Sequence, residues 1–333
     1  MKKNISLIIP TNTNNFYIED ILTNISMWSD YPSEIIIINT SRFKIKLENY
    51  LMNKFKKKNI NILIKNRKNF FPGAARNVGI TSSSYEYIAF LDMNTVPYEK
   101  DWLKNNFKTI QQKRLDGVFG RTIYLVSNFK EKIIVSSTYG LKSLRTIPGS
   151  IFKRKLIKKV GYFNSYTRAG EDTEWLNKLD KYNFKLEFST IPLFYKGLFK
   201  VDYKSIIEKW IRNYHHSANL PHLAYQKNFY IISLLIISFI FFYNLNEFFF
   251  SEINIEKSQF SIFTKFFLIV VSLLYIFLRG IIFPLMKNVS FKFLFPINFL
   301  FIVAFSLILD VVKALAFFSS TILNFLNLKR SKS

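Results

Sequence analysis

Residues 149–183 read GSIFKRKLIKKVGYFNSYTRAGEDTEWLNKLDKYN. Near the centre, Gly170 is followed at once by Glu171 and Asp172, which open a helix-like run from Thr173 to Lys181. The chain is basic almost everywhere, so two adjacent carboxylates at a glycine-hinged helix start stand out. A carboxylate there can act as a general base. Taken alone, the pair reads more simply as an acidic first turn stabilised by the helix dipole. What precedes it decides between the two.

Short isoleucine-rich runs lie upstream at Ile5–Ile9, Glu34–Ile38, Ile60–Ile64 and Tyr87–Leu91. Strands of a parallel sheet covered on both faces are apolar throughout, and these runs fit that pattern. Between them, Asn15–Trp28, Phe43–Phe55 and Gly73–Ser82 read as helices. Strand–helix alternation predicts βαβ units and a mostly parallel α/β sheet. Ligands of such sheets sit at the carboxyl ends of the strands. Those ends are Pro10-Thr11-Asn12, Asn39-Thr40-Ser41, Asn66-Arg67 and Asp92-Met93-Asn94.

Composition narrows the class. The 333 residues hold 47 Lys+Arg against 22 Asp+Glu, a net charge of +25. That balance favours a polyanionic partner: nucleic acid, anionic lipid or a nucleoside diphosphate. No helix-turn-helix, zinc-finger or RNA-recognition signature is present, so nucleic acid is not expected. The Lys54–Lys58 run reads as a solvated helix end or a surface drawn to anionic lipid. The absence of cysteine excludes disulfides and cysteine metal sites. The run Ile5–Ile9 before Pro10 is too short for a signal-peptide core, so the first domain is expected to stay in the cytoplasm.

Four pieces carry chemistry. Ser6–Thr11 is a strand ending in proline, and Pro72–Gly79 is a small-residue helix start holding Arg76 and Asn77. Small residues allow close approach, and a helix N-terminus favours anions. Tyr87–Asn94 is a buried strand ending in Asp92 and Asn94. The fourth piece is Gly149–Asn183. In order and spacing the set resembles glycosyltransferase family 2, the inverting sugar transferases of GT-A fold, over roughly residues 4–185. The most specific match runs from Pro148-Gly-Ser-Ile-Phe152 through Lys153-Arg154, Val160-Gly-Tyr-Phe163 and Gly170-Glu-Asp172 to Leu179.

The resemblance implies a role for each residue. Pro10 and Thr11 would line the nucleoside pocket, with Asn39 where the family usually has an aspartate that accepts from the base. Arg76 would sit near the diphosphate. Asp92-Met93-Asn94 occupies the Asp-X-Asp position, with Asn94 replacing the carboxylate that usually holds the metal. A divalent cation, Mg²⁺ or Mn²⁺, is the implied cofactor, although an amide oxygen is the weaker ligand. Asp172 matches the catalytic base, with Glu171 beside it. The donor would be a UDP-, GDP- or dTDP-linked sugar. A base suits a hydroxyl acceptor, such as the terminal sugar of a lipid-linked saccharide or another cell-envelope glycan. A polyprenyl-phosphate sugar synthase is the alternative, because that acceptor is already an anion. Processive polysaccharide synthesis fits less well, since Ile206–Trp210 keeps only a basic residue and the tryptophan of a Gln-X-X-Arg-Trp signature. Asn39 and Asn94 also motivate a reading from another class, a non-catalytic membrane scaffold with a degenerate transferase domain.

Beyond the 1–200 domain the character changes. A basic and aromatic linker helix, 201–228, leads into a membrane region, 229–333. Its hydrophobic segments are 229–250, 266–286 and 293–320, the first two close to the ~20 residues that cross a bilayer. Trp175, Arg212 and His216 are candidates for contact with acceptor or phosphate. His215 and His216 point different ways on a helix without a companion carboxylate motif, which argues against a metal there. The expected location is the inner, cytoplasmic membrane, with the catalytic domain on the cytoplasmic side. A third full crossing would carry Lys329, Arg330 and Lys332 outward, against the positive-inside rule, so residues 293–328 either cross, re-enter or lie along the interface.

Overall fold

The computed structural model describes residues 4–12, 15–195, 202–250 and 255–330. Along the chain the elements are β1 (Ile5–Thr11), α1 (Asn15–Ser26), β2 (Glu34–Asn39), α2 (Asn49–Lys56), β3 (Asn61–Asn66), α3 (Pro72–Ser82), β4 (Tyr87–Phe90) and β5 (Thr95–Pro97). They continue with α4 (Trp102–Gln112), β6 (Gly117–Ile123), α5 (Phe129–Ser137), β7 (Leu144–Lys153), α6 (Arg154–Val160), α7 (Glu171–Leu179), β8 (Leu186–Phe188) and β9 (Leu193–Tyr195). The C-terminal part holds α8 (Tyr203–Ser217), α9 (Ala224–Phe250), α10 (Ile255–Phe277), α11 (Phe283–Met286), α12 (Phe291–Leu294) and α13 (Asn298–Arg330).

The chain forms two units: Met1–Leu125 with Ser143–Lys200, and Val126–Lys142 with Val201–Ser333. The first is built on one sheet in the order β3-β2-β1-β4-β7-β6-β9-β5, with β8 beside β6. Strands β3, β2, β1 and β4 run parallel, and β7 joins antiparallel to both β4 and β6. This is the mixed, curled α/β sheet of a GT-A fold. Isoleucines 35–38 of β2 are fully buried, because helices cover both faces of the sheet. On one face, Ile18 and Leu22 of α1, Phe55 of α2 and Trp102 of α4 pack on the strands. On the other lie Ile80 of α3, Leu156 of α6 and Trp175 of α7. Each such side chain contributes about 1.5–3 kcal/mol of burial.

The four strands lie where the isoleucine runs predict them. The helix expected over 43–55 begins only at Asn49. Residues 43–48 form no helix: Glu48 is extended, and Ile45 and Leu47 pack on the core from the irregular segment before it.

In the second unit, α5 is a departure from the sequence expectation, which placed residues 126–142 in the catalytic domain. Asn128 caps it by accepting from Glu131 N at 2.9 Å, and Glu131 accepts from Ser127 N and Oγ. The Phe129 ring meets Phe293 and Phe301, and Leu141 N and Lys142 N both donate to Lys287 O. The expected linker is α8, capped by Asp202, followed at Pro221–Leu223 by a short turn into α9. Among the described residues, three segments are long and apolar enough to cross a membrane: Pro221–Ile240, Phe263–Met286 and Asn298–Leu326. The third starts later than expected because Pro296 interrupts the ladder after α12.

Candidate active site

The site is organised by α3, which lies unusually close to its neighbours. A Cβ on Gly79 would stand 2.4 Å from Ile8 of β1, and one on Gly73 would stand 2.0 Å from Asn164 O. Both distances are below contact, so only glycine lets this helix reach the sheet and the loop before α7. Asn77 then fastens that loop. Its Oδ1 accepts from Phe163 N at 2.9 Å, and its Nδ2 donates to Phe163 O and Ser165 Oγ at 2.8 and 3.0 Å.

Arg76, the residue before Asn77 on α3, faces two carboxylates at once. Nη1 donates to Glu171 Oε1 at 2.7 Å. Nη2 donates to Asp92 Oδ1 and Oδ2 at 3.1 and 3.4 Å. Arg76 is buried, and its Nε has no hydrogen-bond partner among the described residues. Burial alone would lower the guanidinium pKa, but Asp92, Glu171 and Asp172 outweigh it and raise it, so Arg76 stays charged.

The acidic pair is split by this clamp. Gly170 adopts φ +83, the left-handed conformation that glycine takes without strain, and α7 starts at Glu171. Glu171 turns inward and is 5% exposed. Burial, reinforced by Asp172 and opposed by Arg76, pushes its carboxyl up to about 7. Asp172, the next residue, is half-buried. Its side chain accepts only from Thr173 N among the described residues. Of the three carboxylates at this point, Asp172 is the one without a hydrogen-bonded guanidinium among the described residues.

At the end of β4, Asp92 is 35% exposed at its side chain, and Asn94 is exposed. Sequence reasoning overlooked Thr95, whose buried hydroxyl accepts from Asp92 N and donates to Asp92 O, fixing the turn that presents Asp92. A small hydroxyl residue just after a polar strand end is the signal by which it can be found. Pro10 and Thr11 lie at the carboxyl end of β1, where Thr11 O accepts from Thr40 N at 2.7 Å. Asn39 is fully buried, and its amide is turned into the protein. Nδ2 donates to Phe43 O and Asn66 Oδ1, and Oδ1 accepts from Ser41 N. The amide shapes the loop after β2, so the oxygen expected to face a base is already engaged.

Trp175, expected to contact acceptor or phosphate, is instead a core residue. It is 1% exposed, stacks on Phe163 at 4.9 Å and donates from Nε1 to Gly161 O at 2.7 Å. Arg212 and His216 lie on α8 in the second unit, both exposed.

The donor set at Asp92 does not make a cation site from protein groups alone. It offers one carboxylate, which already accepts from Arg76, and one amide. No group of three His, Asp or Glu among the described residues is placed to hold a metal ion.

Comparison with known proteins brings one family match, described as glycosyl transferase family 2, over residues 6–179, just over half of the chain. No curated protein matches the sequence. Among solved structures, residues 1–349 of S. aureus TarS align at 16% identity with a TM-score of 0.44, covering 64% of this chain and 65% of that one. A second S. aureus TarS structure gives 18% and 0.44, over 63% of this chain and 38% of that one. PcManGT, a mannosyltransferase from Pyrobaculum calidifontis in complex with GDP-Man and Mn2+, gives 15% and 0.44, over 66% and 63%. The chain therefore spans less than two thirds of the length of these proteins.

Proposed function

The chain belongs to glycosyl transferase family 2, and from that premise we propose that it is a membrane-attached, inverting glycosyltransferase of cell-envelope glycan assembly. It moves a sugar from a nucleotide-sugar donor to a hydroxyl of a lipid-linked saccharide or a related glycan. The observation that carries this reading is the division of labour around Arg76. The guanidinium donates to Glu171 and Asp92, and leaves half-buried Asp172 without a hydrogen bond to it at the start of α7.

Asp172 is the general base. It takes the proton from the acceptor hydroxyl as that oxygen attacks the anomeric carbon, and the bond from that carbon to the diphosphate oxygen breaks on the opposite face. Glu171 and Arg76 act through position: they fix the first turn of α7 against α3 and so aim Asp172. Charge developing on the leaving diphosphate is met by the N-terminus of α3 and by exposed Arg67, whose backbone N–H donates to Asn39 O at 2.8 Å. A divalent cation would supply further charge neutralisation on the diphosphate, but with Asp92 paired to Arg76 no step is assigned to it.

The test is Asp172→Asn in a transfer assay with a panel of nucleotide sugars and both acceptor classes. Loss on the order of 10²–10⁴-fold with a hydroxyl acceptor is expected. Near-wild-type turnover would remove Asp172 from the base role. A loss confined to hydroxyl acceptors, with polyprenyl phosphate unaffected, would separate the two acceptor classes. Absence of donor binding at millimolar concentration would favour the scaffold reading.

A further inference from the structure

Helix α13 differs from the other two apolar segments. Of the residues in its most apolar stretch, 39% are buried by the rest of the protein, against 0% and 6% for Pro221–Ile240 and Phe263–Met286. The burial is one-sided. Phe301, Ile308, Val311, Leu315, Phe318 and Ile322 are exposed and recur every three or four residues, or twice that, so they form one apolar stripe along the helix. The opposite face carries buried Ser306, Lys313 and Ser320. Lys313 Nζ lies 4.4 Å from the Tyr214 ring centroid of α8 and 4.5 Å from that of Tyr230 of α9.

What covers that second face matters more. Helix α8 runs alongside α13, with Tyr203 against Phe305, Tyr214 against Phe317, and His215 Nδ1 3.2 Å from Ser319 Oγ. Just beyond α8, Asn324 donates to Asn219 at 2.9 Å. From Phe305 to Asn324 is about 28 Å of helix at 1.5 Å per residue, close to the ~30 Å of a hydrocarbon core. Along the part that α8 covers, from Phe305 to Ser319 and about 21 Å long, α8 carries Lys204, Glu208 and Arg212, all exposed. A transmembrane α13 would carry this charged surface through the lipid, where ionised side chains are rare unless they face a bundle interior or water.

We propose that α13 is a monotopic helix that lies in the membrane plane on the same side as α8, its apolar stripe in the bilayer and its polar face roofed by α5 and α8. The chain then crosses the bilayer twice, through α9 and through the segment from α10 to α11. The basic residues around the roof, Lys204 and Arg212 of α8 and Lys132 of α5 (4.2 Å from the Phe293 ring centroid), suit anionic headgroups. The arrangement also keeps Lys329 and Arg330 on the side of Lys287 and Lys292, as the positive-inside rule requires.

The natural absence of cysteine makes the test direct. Single variants Ser251→Cys, Ser290→Cys and Ser331→Cys of the full chain are probed with a membrane-impermeant maleimide in right-side-out and inside-out vesicles. Ser290→Cys and Ser331→Cys are expected to label from one side and Ser251→Cys from the other. Labelling of Ser331→Cys from the Ser251→Cys side would overturn the proposal. As an independent reading, spin labels at Phe301→Cys and Ile322→Cys should report the same shallow depth. Two positions 21 residues apart on a crossing helix would instead lie about 30 Å apart along the membrane normal, and that result too would sink it.

Discussion

Arg76 Nη1 lies 2.7 Å from Glu171 Oε1, and the two side chains are 4% and 6% exposed. The pair joins α3 to α7 across 95 residues of sequence in a nearly dry setting. A buried ion pair is costly to assemble, and costlier to halve, because the remaining charge has no water. Arg76→Met should therefore destabilise the catalytic unit by about 3 kcal/mol at pH 8, measured by thermal unfolding in detergent. Arg76→Lys should recover little, since one ammonium cannot serve Glu171 and Asp92 together in a planar fork. Adding Glu171→Leu to Arg76→Met should restore most of the loss.

The same pair gives stability a pH dependence. The folded pKa of Glu171 is raised from 4.5 to about 7, so the unfolded chain releases this proton first. The contribution of protonated Glu171 is full below about pH 4.5 and is lost as pH rises toward about 7. A shift of this size corresponds to roughly 3 kcal/mol. Glu171→Gln should flatten the midpoint-versus-pH curve across that window. An unchanged slope would mean that Glu171 is ionised throughout.

Asp172 and Glu171 are neighbours with opposite expected phenotypes. Asp172→Asn should lower kcat on the order of 10²–10⁴-fold with a shift in unfolding midpoint of under about 2 °C, because the side chain is half-buried and lightly bonded. Glu171→Gln should keep a substantial fraction of kcat while moving the midpoint. Steady-state kinetics and unfolding on the same preparations decide this. Equal kcat losses in both variants would contradict the division of roles.

Much of this arrangement is legible in the sequence, and the exceptions share a cause. The four isoleucine runs announce their strands, because full burial demands apolar residues at every position, whatever their neighbours. Gly170 before Glu171-Asp172 marks the helix start in the same local way. The sequence does not reveal which carboxylate turns inward, since that depends on Arg76 arriving from 95 residues away. The settings of Trp175 and Asn39 are not legible for a related reason: a tryptophan or an amide can face solvent, ligand or core, and only packing selects among them. Residues 126–142 look like part of the sheet domain by position alone. Their partners in the second unit, Phe293, Phe301 and Lys287, lie more than 140 residues downstream.

Cation dependence follows from the pairing of Asp92 with Arg76. A metal binding here must displace a guanidinium held at 3.1 Å and recruit most of its ligands from the diphosphate. Chelation should reduce turnover by less than about tenfold, well below the loss from removing the base. Asn94→Asp should increase the response to Mn²⁺, by adding the second carboxylate that hard cations prefer. Assays with EDTA and graded Mn²⁺ on both proteins test this, and complete inactivation of the wild-type by EDTA would refute it.

Asn39 offers a sharper test of inward-facing polarity. Restoring the family's aspartate at this position looks like a repair of the nucleoside pocket. Here Nδ2 donates to Phe43 O at 2.6 Å and to Asn66 Oδ1 at 2.9 Å, so a carboxylate would face two acceptors with nothing to donate. Leaving buried acceptors unsatisfied costs about 1–3 kcal/mol, and more when the new group is charged. Asn39→Asp should therefore lower the unfolding midpoint and raise the donor KM as the loop after β2 loosens, with kcat at saturation changed less. A lower donor KM at unchanged stability would mean that the side chain turns outward to the base, and that Ser41 and Asn66 hold the loop without it.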